Sequence, residues 1–339
     1  MSSFTITRLV LFAVLIACLI SASTLLQQEA QLLAADGAAG DNFGHSSAIS
    51  GDVALLGAYQ ADVGGNSDQG AAYIFRSSNG GATWPSSQTQ KLTASDGAAG
   101  DYFGYSSAIS GDVALVGAAA ADPNGNSGQG AAYIFRSSDG GATWPPIQTQ
   151  VLTASDGAAF DEFGYSSAIS GDVAVVGAKN AAIGSNSNQG AAYIFRSSDG
   201  GATWPSNETQ KLTASDGAAF DYFGSSSSIS GDVILVGAPS KSCCSGYDQG
   251  AAYIFRSNDG GATWPSNETQ ILTHNFYKSS QDYFGWSSSI SGDVALVGAR
   301  GVDISGKTSQ GAAFIFRSSD GGATWPPIQT QVLTASDGA

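Results

Sequence analysis

Residues 96–155 read DGAAGDYFGYSSAISGDVALVGAAAADPNGNSGQGAAYIFRSSDGGATWPPIQTQVLTAS. Short apolar runs alternate here with turn residues. Residues 105–110 end at Ser110-Gly111-Asp112, where glycine supplies the positive φ that a two-residue hairpin needs. Residues 113–117 form the second expected strand. The third, residues 131–136, carries Tyr133-Ile134-Phe135, a run of the kind buried on both faces. The fourth runs from about 148 to 154. The same unit recurs along the chain, its Phe-Gly pair falling at Phe43, Phe103, Phe163, Phe223 and Phe284. A four-stranded meander of about 60 residues cannot bury both faces alone, and radial packing of like sheets is the usual solution. The pattern predicts an all-β chain, a β-propeller of four-stranded antiparallel blades in five repeats. The ring is either closed at five blades or part of a larger one. Segments like the fourth strand occur six times, from Gln31-Leu32-Leu33 to Gln331-Val332-Leu333, against five copies of the other strands.

Outside the repeats stands the leader. Residues 1–23 carry one cation, Arg8, then an apolar run from Leu9 to Ile20 and small residues at Ser21, Ala22 and Ser23. That order predicts a secretory signal peptide cleaved after Ser23. The run of 12 residues is shorter than the roughly 18 a spanning helix needs, so no stable membrane span is expected. A second reading makes Leu15-Ile16-Ala17-Cys18 a lipoprotein signal with a lipidated Cys18, against which stands the apolar Leu19-Ile20 that follows. The expected organisation is a leader at 1–23 and a propeller over 24–339, with repeats at about 36–95, 96–155, 156–215, 216–275 and 276–339. The expected location is secreted, extracellular or at the cell surface.

Composition supports a folded, turn-rich chain. Charged residues are 12% of 339, about half the usual roughly 25%, and hydrophobic residues are 42%, which excludes disorder of the charged, solvated kind. The formal net charge of -15 becomes -16 once Arg8 leaves with the leader, since residues 1–23 hold no acid. Such a surface repels phosphate backbones and anionic bilayers, so nucleic acid is not an expected partner. Cys243 and Cys244 are adjacent and cannot staple distant elements; a vicinal disulfide and two thiols both remain open.

Phe103-Gly104 followed by Val116-Gly117-Ala118, and above all Phe223-Gly224 followed by Val236-Gly237-Ala238-Pro239, resembles the FG-GAP repeat of integrin α-chain propellers and their microbial relatives. The resemblance covers nearly the whole chain after the leader. It implies a propeller, usually of seven blades, that serves mostly as an extracellular binding module. It also implies calcium in an Asp-x-Asp-x-Asp-Gly-x-x-Asp loop between the first and second strands. Here that connection is only Ser110-Gly111-Asp112, and one carboxylate cannot supply six to eight oxygen ligands, so no cofactor is expected, with calcium left open only outside that loop. A second motif, Ser137-Ser138-Asp139-Gly140-Gly141-Ala142-Thr143-Trp144, recurs at Asp199, Asp259 and Asp320 and becomes Asn79 in the first copy. It resembles the Asp-box of sialidases and other propellers, and its residues suit a hydrogen-bonded turn clamped by an indole. Asn207-Glu208-Thr209 and Asn267-Glu268-Thr269 are glycosylation sequons if the source is eukaryotic.

Catalysis needs unlike groups converging on one spot, which breaks repeat symmetry. That symmetry is nearly intact. His45 and His274 are each without a ligand partner at metal spacing, and no spacing marks an activated nucleophile. Glu162 is the one suggestive acid, and the five arginines Arg76, Arg136, Arg196, Arg256 and Arg317 read as repeated blade-edge salt bridges. The acids at Asp96 and Asp101 and their equivalents read as turn caps, with cation binding as the rival reading.

The connection between the second and third strands varies most. In a propeller these loops share one face, gathering Tyr59, Asp62, Asp122, Asn124, Lys179, Asn180, Lys241, Tyr247, Arg300, Asp303 and Lys307 as candidate ligand-binding residues. A second varied position follows each Phe-Gly: His45, Tyr105, Tyr165, Ser225 and Trp286. The expected function is a non-catalytic binding or adhesion module for an extracellular glycan or protein. The alternatives are a sialidase-like glycoside hydrolase and a structural surface or matrix protein.

Overall fold

The computed structural model describes residues 30–243, 247–275, 281–304 and 306–335. The expected leader, with Cys18, and Cys244 lie outside the described residues. Five four-stranded antiparallel sheets follow one another, each with its strands in chain order. In the second blade the strands are Phe103–Ser110, Val113–Ala118, Ala131–Arg136 and Gln150–Leu152. The third strand falls where the sequence places it. The first starts two residues earlier than expected because a bulge between Phe103 and Ser106 lets Phe103 pair with Ala118. The fourth is shorter, pairing only from Ala132↔Leu152 to Ile134↔Gln150. Past this point the chain crosses to the next blade, as where Thr93 N–H donates to the Pro146 carbonyl at 3.1 Å.

The Phe-Gly and Val-Gly pairs make the contact between blades. Phe103 is fully buried, edge-on to Tyr133 at 5.4 Å and to Phe135 at 5.9 Å. Gly117 of the second blade faces Gly164 of the third, and a Cβ on Gly117 would sit 2.1 Å from the Gly164 carbonyl oxygen. Ser106 Oγ donates to that same oxygen at 2.7 Å. Backbone therefore meets backbone, which is why neither glycine can carry a side chain. Among the described residues four hydrophobic clusters join consecutive blades, each packing a Val, Leu and Ile face against the Phe and Val face of the next, with a Tyr there in three and Phe314 in the fourth.

One polar tie recurs in the first four blades. Arg136 reaches Asp112 at 3.4 Å, and the same pair recurs as Arg76–Asp52, Arg196–Asp172 and Arg256–Asp232. The expected salt bridge is thus present across the hairpin turn for four of the five arginines. It also settles the fit of calcium: Ser110 pairs with Val113 across a two-residue turn whose single carboxylate is held by arginine, so the family's metal loop does not fit these residues. In the Asp-box, Asp139 accepts from Thr143 N–H at 2.8 Å, Thr143 Oγ1 at 2.6 Å and Ser137 Oγ at 2.7 Å. Trp144 is buried, its indole N–H on the Gly141 carbonyl, and it packs in the cluster with Val53 of the preceding blade.

The two ends of the array differ from its middle. Val294, Leu296 and Leu333 of the fifth blade are 37%, 37% and 41% exposed, whereas their counterparts Val233, Leu235 and Leu272 are buried. Ile49 of the first blade is 65% exposed against 8% for Ile109. Residues 30–34 lie against the first blade as a stand-in for a preceding fourth strand: Leu33 bridges Ser87 as Thr93 bridges Ile147, and Leu32 packs beside Phe43. Among the described residues no hydrophobic cluster joins the first blade to the fifth. Among the described residues the five blades therefore pack as an open arc, each against the next, and not as a ring closed at five.

Candidate functional site: an aromatic face at the loop end

Antiparallel order puts the start of each first strand and the connection between the second and third strands at the same end of a blade. The residues after Phe-Gly, His45, Tyr105, Tyr165, Ser225 and Trp286, line one cavity of about 230 Å³. His45 and Tyr105 lie 4.9 Å apart, as do Tyr105 and Tyr165. Tyr59 joins them, 4.5 Å from His45 and 5.4 Å from Tyr105 and Tyr102. Burial pushes the His45 pKa below its ordinary 6.5, so the imidazole is neutral at neutral pH. Burial, then the hydrogen bond to Tyr165, pushes the Tyr105 hydroxyl up, keeping it a donor.

Two clefts open beside this cavity. One, of about 430 Å³, lies between the second and third blades and is lined by Tyr102, Tyr105, Phe160, Glu162, Tyr165 and Lys179 among others. Lys179 ion-pairs Glu162 at 2.8 Å and sits 3.8 Å over the Tyr165 ring. Among the described residues no other carboxylate lines this cleft. The second, of about 450 Å³, runs along the third to fifth blades and includes Asn180, Asn188, Tyr222, Tyr283, Trp286 and Arg300. Arg300 stacks 3.5 Å over Trp286 and 4.8 Å from the Tyr283 ring, a geometry worth about 0.5–2 kcal/mol depending on desolvation.

Of the sequence candidates, Tyr59, Lys179, Asn180 and Arg300 therefore meet in this aromatic surface. The others do not. Asp62, Asp122 and Asp303 hold their own loops, accepting from Asp68 N–H at 2.9 Å, Gly128 N–H at 2.6 Å and Ser309 N–H at 2.7 Å. Asn124 takes φ +57° in the turn Pro123–Gly125 and lines a separate cleft with Asp96, Asp101, Asp122 and Tyr133. Lys241 pairs with Asp221 at 3.1 Å and Asp216 at 3.5 Å. Tyr247 pairs with Cys243 in the short hairpin Ser242–Cys243 and Tyr247–Asp248. Lys307 closes a tight turn, its N–H on the Ile304 carbonyl at 2.9 Å. Asn207 and Asn267 are exposed, and the adjoining Glu208 and Glu268 accept from the backbone and hydroxyl of Ser155 and Ser215. Asp101 caps its turn through Ala98 N–H at 2.7 Å, as do Asp41, Asp161 and Asp221 in theirs. His274 packs between Phe284 and Phe314, with Asp282 at 3.3 Å.

Sequence reading missed Tyr102, Phe160, Phe220, Tyr222 and Tyr283. One signal was there to find: ASDGAAG in the second copy becomes ASDGAAF in the third and fourth, a glycine exchanged for phenylalanine inside a near-invariant stretch.

A family model described as FG-GAP repeat matches residues 26–75, 86–135, 147–195, 206–255 and 278–316. These segments cover more than half of the chain, which belongs to the FG-GAP repeat family. A matched segment such as 86–135 takes in the fourth strand of one blade and the first three of the next, the same offset that sets residues 30–34 in the place of a fourth strand before the first blade. No curated protein matches the chain. Among the described residues no helix is long and apolar enough to cross a membrane.

Proposed function

We propose that the protein is a secreted, non-catalytic recognition module that binds an extracellular glycan or protein through the aromatic face at its loop end. The observation that carries this reading is the convergence there of Tyr59, Tyr105, Tyr165, Trp286, Lys179 and Arg300 around connected clefts, on blades whose other surfaces repeat one another. Large rings with polar tips beside a few fixed charges are the usual lining of a binding site. Glu162, in the cleft between the second and third blades, is held by Lys179 and among the described residues has no second carboxylate in that lining, whereas glycoside hydrolysis ordinarily uses a pair. Secretion is supported by the leader at 1–23 and by the company the family keeps outside cells.

The test is a screen of the full-length protein against immobilised glycans and matrix proteins, followed by Tyr105→Ala and Arg300→Ala on any hit. The expected result is saturable binding that at least one of these substitutions weakens by about tenfold or more. Binding indifferent to both would move the site off this face.

A further inference from the structure

Gly40 and Gly100 occupy equivalent positions with φ +98° and +83°, a conformation natural to glycine. The third and fourth repeats place Phe160 and Phe220 at that position, and the backbone stays at positive φ, +67° and +66°, moved only as far as the small left-handed region open to L residues. The same hydrogen bond fixes the second, third and fourth copies, from Gly100 N–H to Ser67 O at 2.9 Å, Phe160 N–H to Ser127 O at 2.8 Å and Phe220 N–H to Ser187 O at 2.9 Å. A bulky side chain adopts this region only at a cost, and such strain collects at functional sites. The fold gains nothing visible in return. Phe160 is 68% exposed and Phe220 55%, and neither belongs to a core cluster.

Both rings stand in polar, aromatic company. Phe160 lines the cleft between the second and third blades and lies over Gly128, with Tyr165 and the Glu162–Lys179 pair across from it. Phe220 stands edge-on to Tyr222 at 6.4 Å, beside the next cleft. We infer that Phe160 and Phe220 are two stacking subsites, one per blade, for pyranose rings of a neutral oligosaccharide. This rests on the recognition reading above and names its ligand class. An exposed ring face beside tyrosine hydroxyls and an ion pair suits a ligand that is apolar on its C–H face and hydroxylated at its rim. The net charge of -15 disfavours anionic chains. Two subsites on adjacent blades favour a chain of sugars over a single residue through avidity.

The experiment titrates the full-length protein, by calorimetry, with the disaccharides and hexasaccharides of cellulose, amylose, chitin and mannan, beside Phe160→Gly, Phe220→Gly and the double variant. Thermal unfolding is recorded for each. The expected result is that a hexasaccharide binds at least about tenfold tighter than its disaccharide, that each single variant weakens it about tenfold, and that the double variant abolishes it. The variants should unfold at or above the temperature of the parent, since glycine relieves the left-handed conformation. A lowered unfolding temperature with unchanged sugar binding would give both phenylalanines a structural role and overturn the inference. Absence of binding to every sugar by the folded parent would overturn it too. In that case the broader reading stands if a matrix protein binds through Tyr105 or Arg300, and falls if nothing does.

Discussion

Glycine 177 and glycine 298 are the same residue of the repeat in different surroundings. A Cβ on Gly177 would lie 2.1 Å from the Gly224 carbonyl oxygen of the next blade, a backbone atom that cannot step aside. On Gly298 it would meet only Ser287 of its own blade, closest at a hydroxyl that can rotate away. Gly177→Ala should therefore cost about 1–3 kcal/mol and Gly298→Ala well under half of that, read as shifts of the denaturant midpoint. The Asp-box carboxylates give a second residue-level prediction. The Thr143 hydroxyl and backbone N–H and the Ser137 hydroxyl hold Asp139 down to about 2 from its ordinary 3.8. A depressed folded pKa means that this stabilisation is complete above the unfolded value and is lost as pH falls through about 2. Carboxyl-carbon NMR should show Asp139 titrating near there, and Thr143→Val should move its midpoint toward 3.8. Burial acts the other way on Asp101 and raises it. Residues of this kind were legible in the sequence because a turn needs its own local chemistry. Phe160 and Phe220 were not, since an apolar residue in a loop reads as filler until its φ and its exposure are known.

Among elements, the fourth strand shows how the repeats diverge. Lys211 lies opposite Tyr193, its ammonium 2.6 Å from Asp156, while the Tyr193 hydroxyl donates to that carboxylate at 2.9 Å. Lys91 does the same for Asp36 in the first repeat. The fourth repeat has Ile271 at this position, and Lys241 of its variable loop supplies the cation to Asp216 instead. The second repeat has Val151 opposite Tyr133, in the blade where Asp96, Asp101 and Asp122 line one cleft. Val151→Lys should stabilise the protein by about 0.2–1 kcal/mol, and Lys211→Val should remove a similar amount, both effects shrinking in high salt. Thermal unfolding at two ionic strengths checks this. The strands themselves were legible almost to the residue, since Tyr133-Ile134-Phe135 and the Ser-Gly-Asp turn fix register locally. The ends of the first and fourth strands were not. Phe103 joins its strand only through a bulge, and residues 148–154 leave the sheet to meet a neighbour, both long-range effects. For the same reason the sequence grouped all the variable loops as one surface, whereas Asp62, Asp122 and Asp303 accept backbone N–H bonds that brace their own loops.

At the scale of the molecule, five near-identical units carry unequal stability because their neighbours are unequal. In an array where each unit touches only the next, stability is a sum of unit terms and interface terms. Among the described residues the second, third and fourth blades have two interfaces each, and the fifth has one. The first blade has one full interface together with the partial cover of residues 30–34, through Leu32. Exposed Val294, Leu296 and Leu333 mark the hydrophobic stabilisation that the fifth blade forgoes, at roughly 1.5–3 kcal/mol for each large side chain fully buried. Local opening should follow that order. Backbone amides of Val294–Ala299 and Ala312–Arg317 are therefore expected to exchange with solvent deuterium fastest among the inner strands, those of Val173–Ala178 and Ala191–Arg196 slowest, and those of the first blade between. The measurement is native-state hydrogen exchange at two protein concentrations. Fifth-blade exchange as slow as that of the third at both concentrations would mean that the exposed face is covered in solution. Slowing at the higher concentration alone would mean that other copies cover it. Fast exchange at both would establish the arc with a free end as the form the chain takes by itself, and would make the fifth blade the place where unfolding begins.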